Sequence, residues 1–526
     1  MRTNWVALLA FFALTLTAFI TVVQTLPPSP KPADVSSTEF SAERAVKHIR
    51  IIAEQPRPTG SAANASARGY ILNVLNDLGL ETETQPAGNL VNVMGRIVGN
   101  SSTDAVLLTA HLDSVKESRG ATDDGSGVAV LLETARALMS EMPFRNTIIF
   151  LFTDSEETGS DGAKAFIADH PWARDVRVVI GFDAGGLSGP GILSTTSHDN
   201  GWLIRQLARA DSYLVGSSAI NALAESGTDF GHVFKAAGFS GYAFDLYWDR
   251  RIHTIEDSIG NLNLSSIQHQ GYHALSLARY FGNLDRLSDP KEPDMIYFTV
   301  LRLFTSTYPI ILAVPLAIVI TVVFLTFLIF GIKRGFLSWG GIGYGIFVVL
   351  VGTILAPLPG ILLGRWIPGM PFRFVGRSLD RPSEVSLAVL LALVLIILWY
   401  FISLKIKHAC LPCIYFGALV PMLIGMLGTS MILPALSFAF TWPLVFSLLA
   451  SANWYYCFSQ LKNSKLVILG LIISGMITIV IMGPTILLGL FDQPALTLLL
   501  LGVLCGFLLP QIYLMLGYRM ENLYPI

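Results

Sequence analysis

The feature that most limits what this chain can become is a set of long apolar runs, one near the start and the rest crowded toward the end. Residues 6–23 carry no charge, and further runs follow at about 306–331, 337–364, 385–404, 411–431, 434–457, 466–490 and 496–517. About 20 apolar residues in a helix cross a hydrocarbon core of about 30 Å, so seven spans are expected, or eight with the first. A freely soluble chain is excluded. Charged residues make up 14% of the sequence, against about 25% in soluble domains. The charge is also unevenly divided. From residue 300 onward there are 12 Lys/Arg against 4 Asp/Glu, a net of +8, which leaves 23 basic and 33 acidic residues, a net of −10, in 1–299. An acidic half of ordinary composition is thus joined to an apolar, sparsely basic one, and the folded half offers no basic patch for nucleic acid.

These properties divide the chain into an N-terminal anchor over 1–26, a folded domain over 27–295 and a membrane domain of about seven helices over 305–526. The first run is longer than the apolar core of a signal peptide and lacks a clear small-x-small cleavage site, so it is read as an uncleaved anchor rather than a leader. Pro27, Pro28, Pro30 and Pro32 then make a stiff spacer. Loops bearing Lys/Arg prefer the cytoplasm. With Arg2 inside, Lys333/Arg334, Lys405/Lys407, Lys462/Lys465 and Arg519 also fall inside and the acidic half outside, while the loop with Arg365, Arg373, Arg377 and Arg381 disagrees. Few ionisable residues lie within the runs, so the bundle reads as an anchor rather than an ion path. All four cysteines (Cys410, Cys413, Cys457, Cys505) lie in the apolar half. The acidic half therefore makes no disulfide of its own and must rely on a packed core. The C-x-x-C of Cys410 and Cys413 is read as coincidence rather than a metal or redox site.

Within residues 40–285, short β-rich runs alternate with helical patterns. Ala105–Ala110, Thr147–Thr153 and Val176–Phe182 predict buried strands, and Gly127–Met139 and Gly162–Asp169 predict helices between them. Such alternation implies a mostly parallel sheet covered by helices on both faces, with functional groups at the carboxyl ends of the strands. His111-Leu112-Asp113 follows the first strand, Asp123-Asp124-Gly125-Ser126-Gly127 precedes the next helix, Glu156-Glu157 follows the second strand and Asp183 ends the third. His253-Thr254 comes later, in an irregular stretch. Carboxylates gathered at one sheet edge repel one another; bound cations resolve the conflict, and mixed His/carboxylate ligation suits zinc.

This ordered set of motifs resembles the co-catalytic zinc aminopeptidase family of peptidase clan MH. With Pro58-Thr59-Gly60-Ser61, a Pro-rich leader and a multi-span tail, it is similar to the membrane-bound branch, the endoplasmic-reticulum metallopeptidases and vacuolar membrane proteases. The resemblance covers about residues 40–285 by motif and the remainder only by architecture. It implies an α/β zinc-exopeptidase domain beside an α-helical multi-span domain, and two Zn2+ ions. His111 and Asp183 would hold one ion, Glu157 and His253 the other, and Asp123 would bridge them. Glu156 would be the general base, able to take a proton from water and return it to the departing amine. Asp113 would orient the His111 imidazole, and Asp124 would cap the following helix. The Thr158-Gly159-Ser160-Asp161 stretch departs from the family, which usually has Leu there; the loop shape is in doubt, not the ligands. His48, His170, His198, His232, His269, His273 and His408 match no ligand position and are read as surface or packing residues.

The expected activity is removal of N-terminal residues from peptides on the extracytoplasmic side of a lipid bilayer. Either the metal-bound carboxylates or Asp229 would supply the counter-charge for a substrate ammonium. Tyr247 and Trp248 read either as pocket lining or as core. Alternatives are a carboxypeptidase or a glutaminyl cyclase on the same scaffold (the cyclases of this superfamily use a single zinc), a non-catalytic receptor, or a domain auxiliary to a transporting bundle. Sequons at Asn64, Asn100 and Asn263 would permit glycosylation in a reticulum or vacuole, but a disulfide-free domain is read as facing a bacterial periplasm from the inner membrane. Oligomeric state is not legible.

Overall fold

The structure, a computed structural model, describes residues 5–210, 213–223, 227–287, 291–366, 382–406, 411–459, 464–489 and 494–516. The chain forms two compact units: Leu26–Tyr297 with Arg302–Thr307, and Met1–Thr25 with Phe298–Leu301 and Tyr308–Ile526.

The first of these is built on a seven-stranded sheet. Its strands are β1 (Glu81–Ala87), β2 (Leu90–Ile97), β3 (Ala105–His111), β4 (Thr147–Thr153), β5 (Val176–Ala184), β6 (Ile192–Thr196) and β7 (Gly241–Leu246), in the order β1-β2-β4-β3-β5-β7-β6. The inner strands β4, β3, β5 and β7 run parallel, while β1, β2 and β6 are added antiparallel at the edges. A fully buried strand presents alternate residues to opposite faces, which is why β3 and β4 are continuous apolar runs. Val106, Leu108 and Ala110 join Ile148, Phe150 and Phe152 in a core with the helices at Ala42–Ile52, Ala62–Asp77, Gly125–Met139 and Leu264–Gly282. Ala105, Leu107, Ile149 and Leu151 face the other way, toward Ala163 and Phe166 of the helix Asp161–Asp169 and toward Phe230 and Phe234. The expected mostly parallel sheet with helices on both faces is therefore present. The polar strand β1, the strand β2 interrupted by Asn92, Gly95 and Arg96, and the short β6 and β7 were not expected, nor was a β-hairpin over Met295–Val300 and Phe304–Pro309.

Each expected apolar run in the other unit contains helix, but six helices among the described residues are long and apolar enough to cross a membrane: Trp5–Thr25, Ile310–Lys333, Trp339–Leu363, Ser383–Lys405, Leu411–Ile432 and Lys465–Gly489. Two of the expected runs fall short of that length and composition among the described residues. The helix Phe438–Ser459 is diluted by Thr441, Pro443, Ser447, Ser451 and Asn453. The last run divides into Pro494–Phe507 and Leu509–Met515, the second piece beginning next to Pro510, which has no N–H to donate back to the preceding turn. Arg373, Arg377 and Arg381 of the discordant loop, together with Cys410 and His408, lie outside the described residues. Cys413 is disulfide-bonded, which the coincidental reading of its motif did not anticipate. Asn64 is also corrected as a sequon: it is fully buried, and its amide donates to Asp154 and to the Arg57 carbonyl.

Candidate metal centre

The carboxyl ends of β3, β4 and β5 bring the expected side chains to one place, as parallel α/β sheets do. His111 is the last residue of β3 and Asp183 lies near the end of β5. Asp123 and Asp124, joined by a cis peptide bond, precede the helix Gly125–Met139. Glu156 and Glu157 follow β4, and His253 stands in the loop after β7 with a left-handed backbone, φ 59°.

Asp123 is the meeting point. Its Oδ1 lies 3.1 Å from His111 Nε2 and its Oδ2 lies 2.9 Å from His253 Nε2. His253 Nε2 is also 3.0 Å from Glu157 Oε2, and His111 Nε2 is 3.6 Å from Asp183 Oδ1. All five expected ligands thus converge, two on either side of one carboxylate. Burial opposes charge on His111, but hydrogen bonds to Asp113, Asp123 and Asp183 raise its pKa well above the ordinary imidazole value. Hydrogen bonds to Asp123 and Glu157 push His253 up to about 10. Burial would raise Asp123, yet His111 and His253 hold it down at about 2. The carboxylates thus draw positive charge onto both rings, and that is the electrostatic demand a divalent cation meets. Imidazole nitrogens and carboxylate oxygens at this spacing form the donor set that suits zinc, and the residues fit such an ion.

Asp124 also stands close enough to group with His111 and Asp183. Its oxygens are engaged elsewhere: Oδ1 accepts from Gly127 N at 2.9 Å, capping the helix, and Oδ2 accepts from His111 N at 3.1 Å. Asp113 has two tasks. Its Oδ1 lies 3.4 Å from His111 Nδ1, and the same carboxylate accepts from the backbone N of Glu156 at 3.1 Å and of Glu157 at 3.3 Å. One buried side chain therefore aligns groups from two strands. Glu156 makes no ion pair with either imidazole among the described contacts, and burial, reinforced by Asp183, Asp229 and Asp123, pushes it up to about 10. Asp229 is buried and accepts from Thr153 Oγ1 at 2.5 Å; burial foremost pushes it up to about 6. Tyr247 is buried with its hydroxyl donating to Asp245, whereas Trp248 is half-buried.

Three supporting residues escaped sequence reading. Arg57 is fully buried, donating to the carbonyls of Leu112 and Arg119 beneath the acid cluster. Asp154 accepts from Thr59, Asn64, Val91 and Ser155 and so fixes the start of the loop that carries Glu156. Asp257 accepts from the backbone of Thr122 and Asp123. Their only signal was local: Arg57 beside Pro58, and Asp257 four positions after His253. The remaining histidines take packing or surface positions where described. His48 pairs with Tyr70, His170 with Glu83, His269 and His273 are buried against backbone groups of Tyr213 and Gly191, and His198 and His232 are exposed.

Comparison with known proteins fits this arrangement. Residues 92–278 match Peptidase family M28. The chain carries an M28 peptidase domain. Over 301 residues it is 32% identical to a vacuolar membrane protease of Candida dubliniensis, covering 52% of this chain and 32% of that one. It is 29% identical over 311 residues to endoplasmic reticulum metallopeptidase 1 of Rattus norvegicus, covering 52% and 34%. The chain thus spans about a third of the length of these relatives. Among solved structures, an aminopeptidase from Aneurinibacillus sp. strain AM-1 aligns at 15% identity and a TM-score of 0.41, covering 49% of this chain and 97% of that one.

Proposed function

We propose that this chain is a membrane-anchored di-zinc aminopeptidase that removes N-terminal residues from peptides on the extracytoplasmic side of its membrane. The observation that carries the reading is the placement of Asp123 between His111 and His253, with Asp183 and Glu157 flanking them. His111 and Asp183 would hold one ion, Glu157 and His253 the other, and Asp123 both. When bound, such a pair polarises a carbonyl and makes a nucleophile of water near neutral pH.

The chain's own residues supply the rest. Asp113 keeps His111 Nε2 turned inward and fixes the backbone of the Glu pair. Glu156, placed beside but outside the ligand set, accepts a proton from the attacking water at its carboxylate and delivers it to the departing amine. Asp229, buried near Glu156, is the acidic group suited to a substrate α-ammonium. The basic ends at Lys333 and Lys405 favour a cytoplasmic side opposite the peptidase domain. A periplasm-facing inner membrane suits a domain without cysteine; a reticulum or vacuole is the other setting.

A panel of amino-acid amides and N-terminal glutaminyl peptides, assayed on the full chain with and without chelator, tests the proposal. Chelator-sensitive release of free amino acids is expected. Cyclisation of the glutaminyl peptide with one bound zinc would replace the aminopeptidase reading with a cyclase.

A further inference from the structure

His253 is held weakly for a ligand. Its side chain is 50% exposed, its backbone lies in the left-handed region that non-glycine residues seldom occupy, and Thr254, Ile255 and Glu256 beside it are exposed. Most bonds near it stay inside the loop. Arg251 pairs with Asp249 and Glu256, Thr254 Oγ1 donates to the Arg251 carbonyl, and Asp257 N donates to the Thr254 carbonyl.

Asp257 is the exception. Fully buried, it reaches out of the loop to the segment that carries the bridging carboxylate: Oδ1 accepts from Thr122 N at 2.6 Å, and Oδ2 from Asp123 N at 3.1 Å with Ser118 Oγ at 3.5 Å. Hydrogen bonds from backbone N–H to a buried carboxylate are among the stronger ones in proteins. One end of this link lies on a ligand and the other four residues from one: its acceptors hold Asp123 and the residue before it, while Asp257 follows His253 by four.

We propose that Asp257 is a positioning residue that fixes the distance between His253 and Asp123, and so sets the affinity of the zinc subsite made by His253, Glu157 and Asp123. The inference rests on the di-zinc reading above. Asp257 touches neither substrate nor the ligand atoms; it acts through the Thr122–Asp123 backbone and the loop. Loss of such an outer support typically weakens metal binding about 10–100-fold.

The test is zinc titration of the full chain in detergent against a chromophoric chelator, comparing wild type, Asp257→Asn, Asp257→Ala and His253→Ala. Asparagine keeps the size but turns a donor toward one of the two backbone N–H groups; alanine removes both acceptors. Asn146→Ala is a destabilised control, since that buried amide donates to the Phe281 and Leu284 carbonyls. Wild type is expected to bind two zinc ions. Both Asp257 variants should weaken one ion about 10–100-fold and leave the other unchanged, matching the ion that His253→Ala loses, while the Asn146 control keeps both. Unchanged affinity at both sites, parallel loss of both ions, or the same selective loss in the control overturns the proposal. A wild type that binds fewer than two ions overturns it together with the di-zinc reading. Two ions without peptide hydrolysis would remove the aminopeptidase reading and leave Asp257's role standing.

Discussion

Replacing Gly186 by alanine should damage the site without touching a single ligand. Gly186 follows Asp183 by three residues, and its loop pairs with the segment ahead of His253: Leu187 N donates to the Asp249 carbonyl at 2.8 Å, Ser188 N to the Trp248 carbonyl at 3.0 Å, and Trp248 N to the Ser188 carbonyl at 3.0 Å. A Cβ on Gly186 would stand 2.5 Å from the Trp248 carbonyl oxygen and 2.8 Å from the Tyr247 carbonyl carbon. Both are backbone atoms, so no side chain can swing away. Opening 2.5 Å to the near edge of ordinary contact, 3.4 Å, moves the strands of this clasp apart by about 0.9 Å. Since about 1 Å of misplacement can cost about 100-fold in rate, Gly186→Ala should lower kcat by roughly 50–100-fold. Gly69→Ala is the control: a Cβ there meets nothing within 4 Å, and alanine in a helix interior adds about 1 kcal/mol of stability. Amide hydrolysis, zinc content and thermal midpoint should be measured on both. A Gly186→Ala chain within about threefold of wild-type kcat would show that the clasp does not hold the site geometry.

Three further outcomes are expected. Glu156→Gln should retain both zinc ions while kcat falls about 10²–10⁴-fold; unchanged turnover would remove Glu156 from proton transfer. Burial, with Asp183 adding, pushes the Asp245 carboxyl up to about 7, so the folded zinc-free chain binds that proton more tightly than the unfolded chain. The associated stability is present below about pH 4, the unfolded value, and lost as pH rises through about 7. Asp245→Asn should therefore flatten the fall in thermal midpoint between those limits, and parallel curves would contradict the assignment. Asp154→Asn leaves donors from Thr59, Asn64 and Val91 competing for one amide oxygen. The expected loss is about 2–4 kcal/mol, read as a lower thermal midpoint and faster hydrogen exchange at Val91; wild-type values for both would refute the hub.

The inner strands of the sheet were legible because burial on both faces demands unbroken apolar runs, as in Ala105–His111 and Thr147–Thr153. The edge strand Glu81–Ala87 was not, since its residues are exposed or half-buried and carry no such demand. His111, Asp123, Glu156, Glu157 and Asp183 could be found because each followed a strand or preceded a helix, whereas His253, in an irregular stretch, was singled out by the His-Thr of the family resemblance. Arg57, Asp154 and Asp257 could not, because their partners are backbone amides, carbonyls and side chains from segments far apart in the chain, and no local pattern marks them. The membrane runs were visible from composition, yet their number was not, because a few polar side chains in Phe438–Ser459 and the break ahead of Leu509 set which runs stay long and apolar enough to be counted.

The order of apolar runs along the chain determined by itself that a membrane part and an α/β part coexist, because hydrophobic periodicity is a property of neighbours in sequence. Only the tertiary fold decided that Asp123 stands within 3.1 Å of His111 and 2.9 Å of His253. Those separations depend on the parallel register of β3, β4 and β5 and on a loop drawn in by Asp257. Electrostatic coupling of this kind falls off over a few ångströms, and chain order does not encode distance at that scale.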